Sequence, residues 1–475
     1  MVERQPMSDL VVIVPGITGS VLQVDNEDVW ALSGRAVMNG VVSLGRSVAR
    51  LKLPDGFGDT LPEKEGEGEP ADGVEATKLM PDLHVIPGLW SPIKGYSALS
   101  TFFTSRFSMT PATLQRPGNL MEFAYDWRLS NAVNGRRLAA EALPLLEHWR
   151  KQAANPDAKL VLVCHSMGGL VARWFLEVVD GWKNTRTLIT IGTPFQGAIG
   201  ALEALANGVS FELGPFRRDL SQLVRSFPSA YELLPTYPCL DVGGSNVRRL
   251  SEVSGLGLNA KMLASATLLH TRIAEKVQSR ADRGYDIVAV KGVMQPTAQS
   301  ARTSLRGIEP IRSYKGVDQG GDGTVPRPSA HPPEWDSEST GYTVGASQRH
   351  GALQDSEGVH AQLFMKLTTG NLGRFMGGEG VGLDLPHLLV AGEPLWVEVT
   401  AAESTLALNA TVTPHDDPRP VMSPQLLTNI GAGRYRTEFA DVPPGTYEVK
   451  VRPAAPTGQI SPVSDITIVW DPIVA

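Results

Sequence analysis

The stretch Lys159–Asp180, KLVLVCHSMGGLVARWFLEVVD, decides how this chain is read. Leu160, Val161, Leu162 and Val163 form a short, continuous apolar run rich in β-branched residues, the pattern of a strand buried on both faces of a parallel sheet. Cys164-His165-Ser166-Met167-Gly168 then turns the chain. From Gly169 the spacing is helical, with Leu170, Val171, Trp174, Phe175 and Val178 on one face and Arg173 and Glu177 on the other. A serine on a tight turn between a buried strand and a helix is a nucleophile elbow. The turn lifts Oγ above the carboxyl edge of the sheet, and the helix N-terminus leaves free N–H groups beside it, that of Met167 first among them. Cys164 stands where glycine usually opens such a turn, while Gly168 and Gly169 keep its other side open. Beside a strand the thiol is desolvated, so Cys164 reads as a small apolar residue and not as a second nucleophile.

Working outward, Leu10–Val14 is a second β-branched run, followed by Pro15-Gly16-Ile17-Thr18-Gly19-Ser20. A glycine-bearing loop after an early strand can supply a second oxyanion donor. Ile17 N–H is the expected one, with Thr18 as its alternative and as a substrate-facing candidate. Residues 24–73 lose periodicity, and the Glu63–Glu69 run of acids and glycines reads as an exposed loop without a metal site. Pro87-Gly88-Leu89-Trp90 suggests a loop, and Tyr96–Phe107 an amphipathic helix. Leu120–Trp127 is expected to be a strand, and Asp126 and Arg128 flank Trp127 either as an ion pair or as unrelated surface charges. Asn134–Lys151 has helical spacing. Thr187–Gly192 is a further buried strand, joined to the elbow strand by a right-handed crossover, so Thr193–Gly197 opens beside Ser166 with Phe195 facing the substrate.

Residues 198–280 read as helical and aromatic without sheet strands, the size of a cap above the carboxyl edge. Tyr285–Val293 returns to strand. Asp322, between glycines in GGDGTVP, is set to orient an imidazole, and His350 follows the strand Tyr342–Val344 at the start of a helical pattern. The order Ser166, Asp322, His350 is the one the α/β-hydrolase fold requires. His165 should point away from its neighbour Ser166, and His360 is the alternative base.

The 475 residues exceed one typical domain. We expect a catalytic unit over 1–372, with the cap at 198–280, a glycine-rich linker at Gly373–Gly382, and a β-sandwich over 383–475 of immunoglobulin-like character whose role is docking, to the catalytic unit or to a protein partner. The fold class is therefore α/β, a mostly parallel sheet with helices on both faces, plus a small sandwich. A net charge of −7 argues against nucleic acid as a partner, no apolar run is long enough for a transmembrane segment, and the N-terminus lacks a signal-peptide pattern, which suggests a cytoplasmic protein. Two cysteines are too few to staple a chain of this size. No cofactor or metal is expected.

Together VVIVPGITGSVL, YDWRLS, VCHSMGGLVARWFL and GDGTVP resemble the lecithin:cholesterol acyltransferase family over roughly residues 10–370. The resemblance implies a serine acyl-enzyme mechanism on ester lipids, with Ser166 as nucleophile, Asp322 and His350 completing a triad, Ile17 and Met167 as oxyanion donors, and Trp127 lining the acyl site. It leaves esterase, phospholipase and O-acyltransferase outcomes open. A silent binding scaffold, or an amidase or peptidase on the same fold, is the competing reading.

Overall fold

The two apolar runs that begin the sequence argument lie side by side. Val11, Val12 and Ile13 of β1 (Leu10–Val14) pair in parallel with Val161, Leu162 and Val163 of β3 (Leu160–His165). A computed structural model describes residues 3–31, 48–81, 93–113, 115–213, 216–243, 246–335, 343–372, 380–415, 417–455 and 460–471, without the side chains of 211–218. Its central sheet adds β2 (Leu120–Glu122), β4 (Thr185–Ile191), β5 (Asp286–Gly292) and β6 (Thr343–Ala346) in the order β6-β5-β4-β3-β1-β2, all parallel.

Alternation along these strands divides the core in two. Leu10, Val12, Leu160, Leu162 and Cys164 face α2 (Asn131–Gln152) and α3 (Gly168–Glu177), while Val11, Ile13, Val161 and Val163 face α1 (Ser97–Arg106) and α6 (Glu357–Thr369). Covered on both faces, the strands need no polar face, which is why they read as unbroken apolar runs. Ser130 starts α2 by accepting the Ala132 N–H at 3.1 Å, and Arg150 and Lys151 complement its C-terminal dipole.

Two expectations need correction. Only Leu120–Glu122 of the proposed strand 120–127 pairs with β1. Beyond it the partner strand stops before Pro15, which has no N–H, and the Tyr125 N–H goes to Ser20 Oγ at 3.0 Å instead. The segment 198–280 is also not purely helical. Between α4 (Ile199–Asn207) and α5 (Ala260–Gln278) lie an antiparallel pair, Ser210–Leu213 with Phe216–Asp219, and the short strands Leu240–Asp241 and Val247–Arg248. Runs of four residues or fewer carry too little alternation to be read as strands. The last two join Ser300–Ser304 and Gly307–Ile311 in a four-stranded sheet.

The C-terminal strands form two sheets around one core. The first comprises β7 (Gly382–Asp384), β9 (Leu395–Thr400), β12 (Thr428–Gly431) and β13 (Arg434–Phe439) in the order β7-β9-β13-β12. The second comprises β8 (Leu388–Val390), β10 (Leu408–Pro414), β11 (Gln425–Leu426), β14 (Gly445–Pro453) and β15 (Val463–Trp470) in the order β8-β15-β14-β10-β11. Leu383, Leu395 and Val397 from one sheet meet Leu408, Val412 and Val449 from the other. The Pro87–Trp90 loop, Tyr342 and most of the Gly373–Gly382 linker lie outside the described residues. Among the described residues no helix is long and apolar enough to cross a membrane.

Candidate active site

Ser166 follows the last residue of β3 with φ 51°, in the left-handed region where a serine is strained. Three contacts hold the turn: the Ser166 N–H donates to Ile191 O at 2.9 Å, and Ser166 O accepts from Thr193 Oγ1 at 2.9 Å and from the Gly169 N–H at 3.1 Å. Gly16 backs Ser166 so closely that a Cβ there would sit 2.9 Å from Ser166 Cβ. Cys164, by contrast, is an ordinary strand residue, absent from the positive-φ positions and wholly buried. The crowding at this turn falls on Gly16, Gly168 and Gly169, so the first elbow position needs no glycine here. Burial pushes the Cys164 thiol well above its usual pKa.

His350 follows the end of β6, and Asp322, in the long excursion after β5, packs back against Gly292 at the end of that strand. His350 Nε2 is 2.9 Å from Ser166 Oγ, and His350 Nδ1 is 2.7 Å from Asp322 Oδ2. A carboxylate only accepts, so Nδ1 carries the proton and Nε2 is left to accept the serine hydroxyl. Asp322 is fixed in turn: Oδ1 accepts the Thr324 and Val325 N–H groups at 2.9 and 2.7 Å, and its carbonyl accepts the His350 N–H at 2.7 Å. All three residues are buried. Such an arrangement can deprotonate a serine for attack on an acyl carbon.

The N–H groups of Ile17 and Met167 both lie in this neighbourhood, and neither reaches an acceptor among the described residues. Thr18 has φ 65°, its Oγ1 donating to Ile17 O at 2.6 Å and its carbonyl accepting the Trp30 indole N–H at 2.9 Å. Trp127 is fully buried, edge-on to Trp30 and to Phe227 of the 198–280 segment, with its N–H on Ser20 O at 3.2 Å. Phe195 is buried with the Arg173 guanidinium 6.0 Å from its ring centre. Asp126 and Arg128 are an ion pair: Arg128 Nε and Nη2 reach the two carboxylate oxygens at 2.9 and 2.6 Å. His165 turns to Tyr96 and to the His350 backbone. His360 stacks on Phe102 and contacts Gln354 O through Nε2 at 2.8 Å. Among the described residues no group of three or more His, Cys, Asp or Glu is arranged to hold a metal.

A family model described as Lecithin:cholesterol acyltransferase matches residues 96–252, which carry the elbow and the strand after it. Over this segment the chain is similar to the lecithin:cholesterol acyltransferase family. Lecithin-cholesterol acyltransferase-like 4 of Arabidopsis thaliana is 29% identical over 241 residues, 48% of this chain and 43% of that protein. Phospholipase A(1) LCAT3 of the same plant is 32% identical over 130 residues, 24% of this chain and 27% of its own length. The chain thus spans less than half the length of these two relatives. A Bacillus licheniformis lipase structure covers 77% of this chain, and 94% of its own length is matched, at 13% identity and a TM-score of 0.35.

Several residues around this site leave no mark in the sequence. Tyr96 accepts the Gly16 N–H at 2.8 Å and meets His165 Nδ1 at 2.9 Å, yet it sits in an unremarkable helix start. Glu232 takes the Asn131 N–H and Nδ2 at 2.7 Å each and the Ser130 hydroxyl, from about 100 residues away in sequence. Arg349 stands next to His350, but its partner comes from the C-terminal sandwich. Proximity of this kind leaves no local signal.

Proposed function

We propose that the chain is a serine-dependent acyl-ester hydrolase or O-acyltransferase acting on lipid-like esters. The carrying observation is the hydrogen-bonded line from Ser166 Oγ through the His350 ring to Asp322 Oδ2, at 2.9 and 2.7 Å. In this reading His350 Nε2 takes the Oγ proton as Oγ bonds to the ester carbonyl carbon. The carbonyl oxygen becomes an oxyanion facing the N–H groups of Ile17 and Met167, each such donor being worth about 3 kcal/mol of barrier. Collapse breaks the ester C–O bond, and His350 returns the proton to the leaving alcohol. Water or an acceptor alcohol then attacks the Ser166 acyl ester by the reverse steps and restores the hydroxyl. Asp322 keeps the proton on Nδ1 throughout.

The likeness of residues 96–252 to the lecithin:cholesterol acyltransferase family supports an ester lipid as substrate. Trp127, Thr18 and Phe195 are assigned to the acyl side of the site, and the Trp127–Phe227 contact supports reading 198–280 as a cap over it. We read the C-terminal sandwich as immunoglobulin-like. Supporting this are the parallel pairing of β8 with β15 and the Tyr447 hydroxyl, near the start of β14, donating to Pro443 O at 2.8 Å as a tyrosine corner does.

The test is turnover of p-nitrophenyl esters of increasing acyl length, beside Ser166→Ala and with glycerol or a sterol added as acceptor. Ester cleavage that vanishes in Ser166→Ala is the expected result, and acylated acceptor would identify a transferase. Equal turnover by both proteins would overturn the assignment.

A further inference from the structure

The loop that carries His350 is held from behind by the C-terminal sandwich. Arg349 Nε lies 2.8 Å from Asp465 Oδ2 in β15, with the two side chains 8% and 3% exposed. Arg349 Nη1 donates to Leu383 O, the middle residue of β7, at 3.0 Å. His387 Nε2 is 3.0 Å from the same Asp465 oxygen, and the Ile466 N–H donates to Oδ1 at 2.9 Å, so the carboxylate is fully engaged. One residue earlier, Gln348 Nε2 donates to Pro462 O at 2.6 Å and Gln348 Oε1 accepts the Ser464 N–H at 3.3 Å.

The same guanidinium also rests on the acid loop. Gly323, next to Asp322, has φ 95°, and a Cβ there would lie 3.0 Å from Arg349 Cζ. Gln295 completes the joint: its N–H donates to Gly321 O at 2.9 Å, while Nε2 donates to Ser347 O and Val381 O at 2.6 and 3.0 Å. All eight residues of β15 are buried, so this strand is covered on both sides, unlike a strand with one face in solvent.

We propose that Asp465 and Arg349 form a positioning pair for His350, so that the C-terminal sandwich is a working part of the active site. The inference rests on the serine-ester reading above. A buried carboxylate and a guanidinium at this distance fix one another strongly, because neither is stable alone away from water. Arg349 adjoins His350 in the chain, so any movement of this pair shifts the imidazole relative to Ser166. A displacement of about 1 Å at such a site is enough to cost about a hundredfold in rate.

The experiment uses the full chain. Asp465→Asn, Arg349→Lys, Arg349→Gln and the double variant Arg349→Gln/Asp465→Asn are compared with wild type for kcat and KM on a short p-nitrophenyl ester. The rate of fluorophosphonate labelling of Ser166 and the low-field proton resonance of the His350–Asp322 hydrogen bond are measured alongside, with circular dichroism to verify folding. Glu398→Gln, which removes an exposed ion pair with Arg436 on the same sandwich, is the control and should match wild type. Expected are a kcat and labelling rate lowered tenfold or more in Asp465→Asn with KM within twofold, a smaller loss in Arg349→Lys, and a double variant no worse than the worse single. A folded Asp465→Asn with wild-type kcat and an unmoved resonance overturns the proposal. Should Asp465→Asn not fold, Arg349→Lys decides by the same readings. A wild type that cleaves no ester defeats the esterase reading separately, while the resonance still reports whether the sandwich sets the place of His350.

Discussion

His165 Nε2 lies 3.2 Å from the backbone carbonyl oxygen of His350, and its Nδ1 lies 2.9 Å from the Tyr96 hydroxyl. A carbonyl cannot donate, so Nε2 carries the proton and Nδ1 accepts from Tyr96, whose oxygen accepts the Gly16 N–H at 2.8 Å. This chain of contacts joins the Gly16–Ile17 loop to the loop that carries His350. Tyr96→Phe leaves the Gly16 N–H and His165 Nδ1 without these partners. Its kcat is expected to fall about tenfold, the equivalent of about 1.4 kcal/mol, with little change in KM. An unchanged kcat would show that the Gly16–Ile17 loop is placed without Tyr96.

At Gly169, two effects of an added methyl oppose each other. Alanine in a helix gains about 1 kcal/mol over glycine. Here, however, its Cβ would meet Thr193 Oγ1 at 2.1 Å and Cγ2 at 2.5 Å, and Thr193 is fully buried and bonded to Ser166 O. Overpacking should win, so Gly169→Ala is expected to lose about 1–3 kcal/mol in urea unfolding. The double variant Gly169→Ala/Thr193→Ala should recover part of that loss, and failure to recover would place the strain elsewhere.

Arg128 has no exposed surface and holds both Asp126 and Asp72, the latter at 2.8 Å. Arg128→Met abandons the Asp126 carboxylate in the interior, at an expected cost of about 3–5 kcal/mol in chemical denaturation. A loss below about 1 kcal/mol would mean that water reaches Asp126.

Glu232 makes stability depend on pH. Burial raises its carboxyl to about 7, against the lowering effect of its bonds from Ser130 and Asn131. The folded value stands above the unfolded one, roughly 4.3. Its contribution is therefore complete below the unfolded value and is lost as pH rises through about 7. Urea unfolding should show wild type less stable at pH 8 than at pH 5, with the gap narrowed in Glu232→Gln; an identical gap in both proteins would assign the effect to other groups.

Cys164 is set in the sheet and not in the strained part of the turn. Cys164→Gly, which restores the usual elbow pattern, should raise no activity and should cost about 1 kcal/mol from lost burial and a glycine in a strand. A gain in kcat would show that the thiol does crowd Ser166.

Much of this architecture was legible in the sequence, and for stated reasons. Doubly covered strands at 10–14 and 160–163 must be continuously apolar, the elbow must turn tightly beside small residues, and chain order on this sheet brings the loops after β3, β5 and β6 to one edge. Those local requirements single out Ser166, Asp322 and His350, whose side chains the fold brings within hydrogen-bond distance of one another. The short strands at 210–219 were not legible, since four residues carry almost no period, and the early end of β2 depends on Pro15 and Ser20 in another segment. Tyr96, Glu232 and the Arg349–Asp465 pair were likewise invisible. Their partners lie roughly 70 to 120 residues away, and a buried hydrogen bond or ion pair between distant segments imposes no spacing on either. The sequence by itself determined the sheet, the turn and the order of Ser166, Asp322 and His350; only the tertiary structure decided what holds those residues still, because that is settled where separate segments pack and water is excluded.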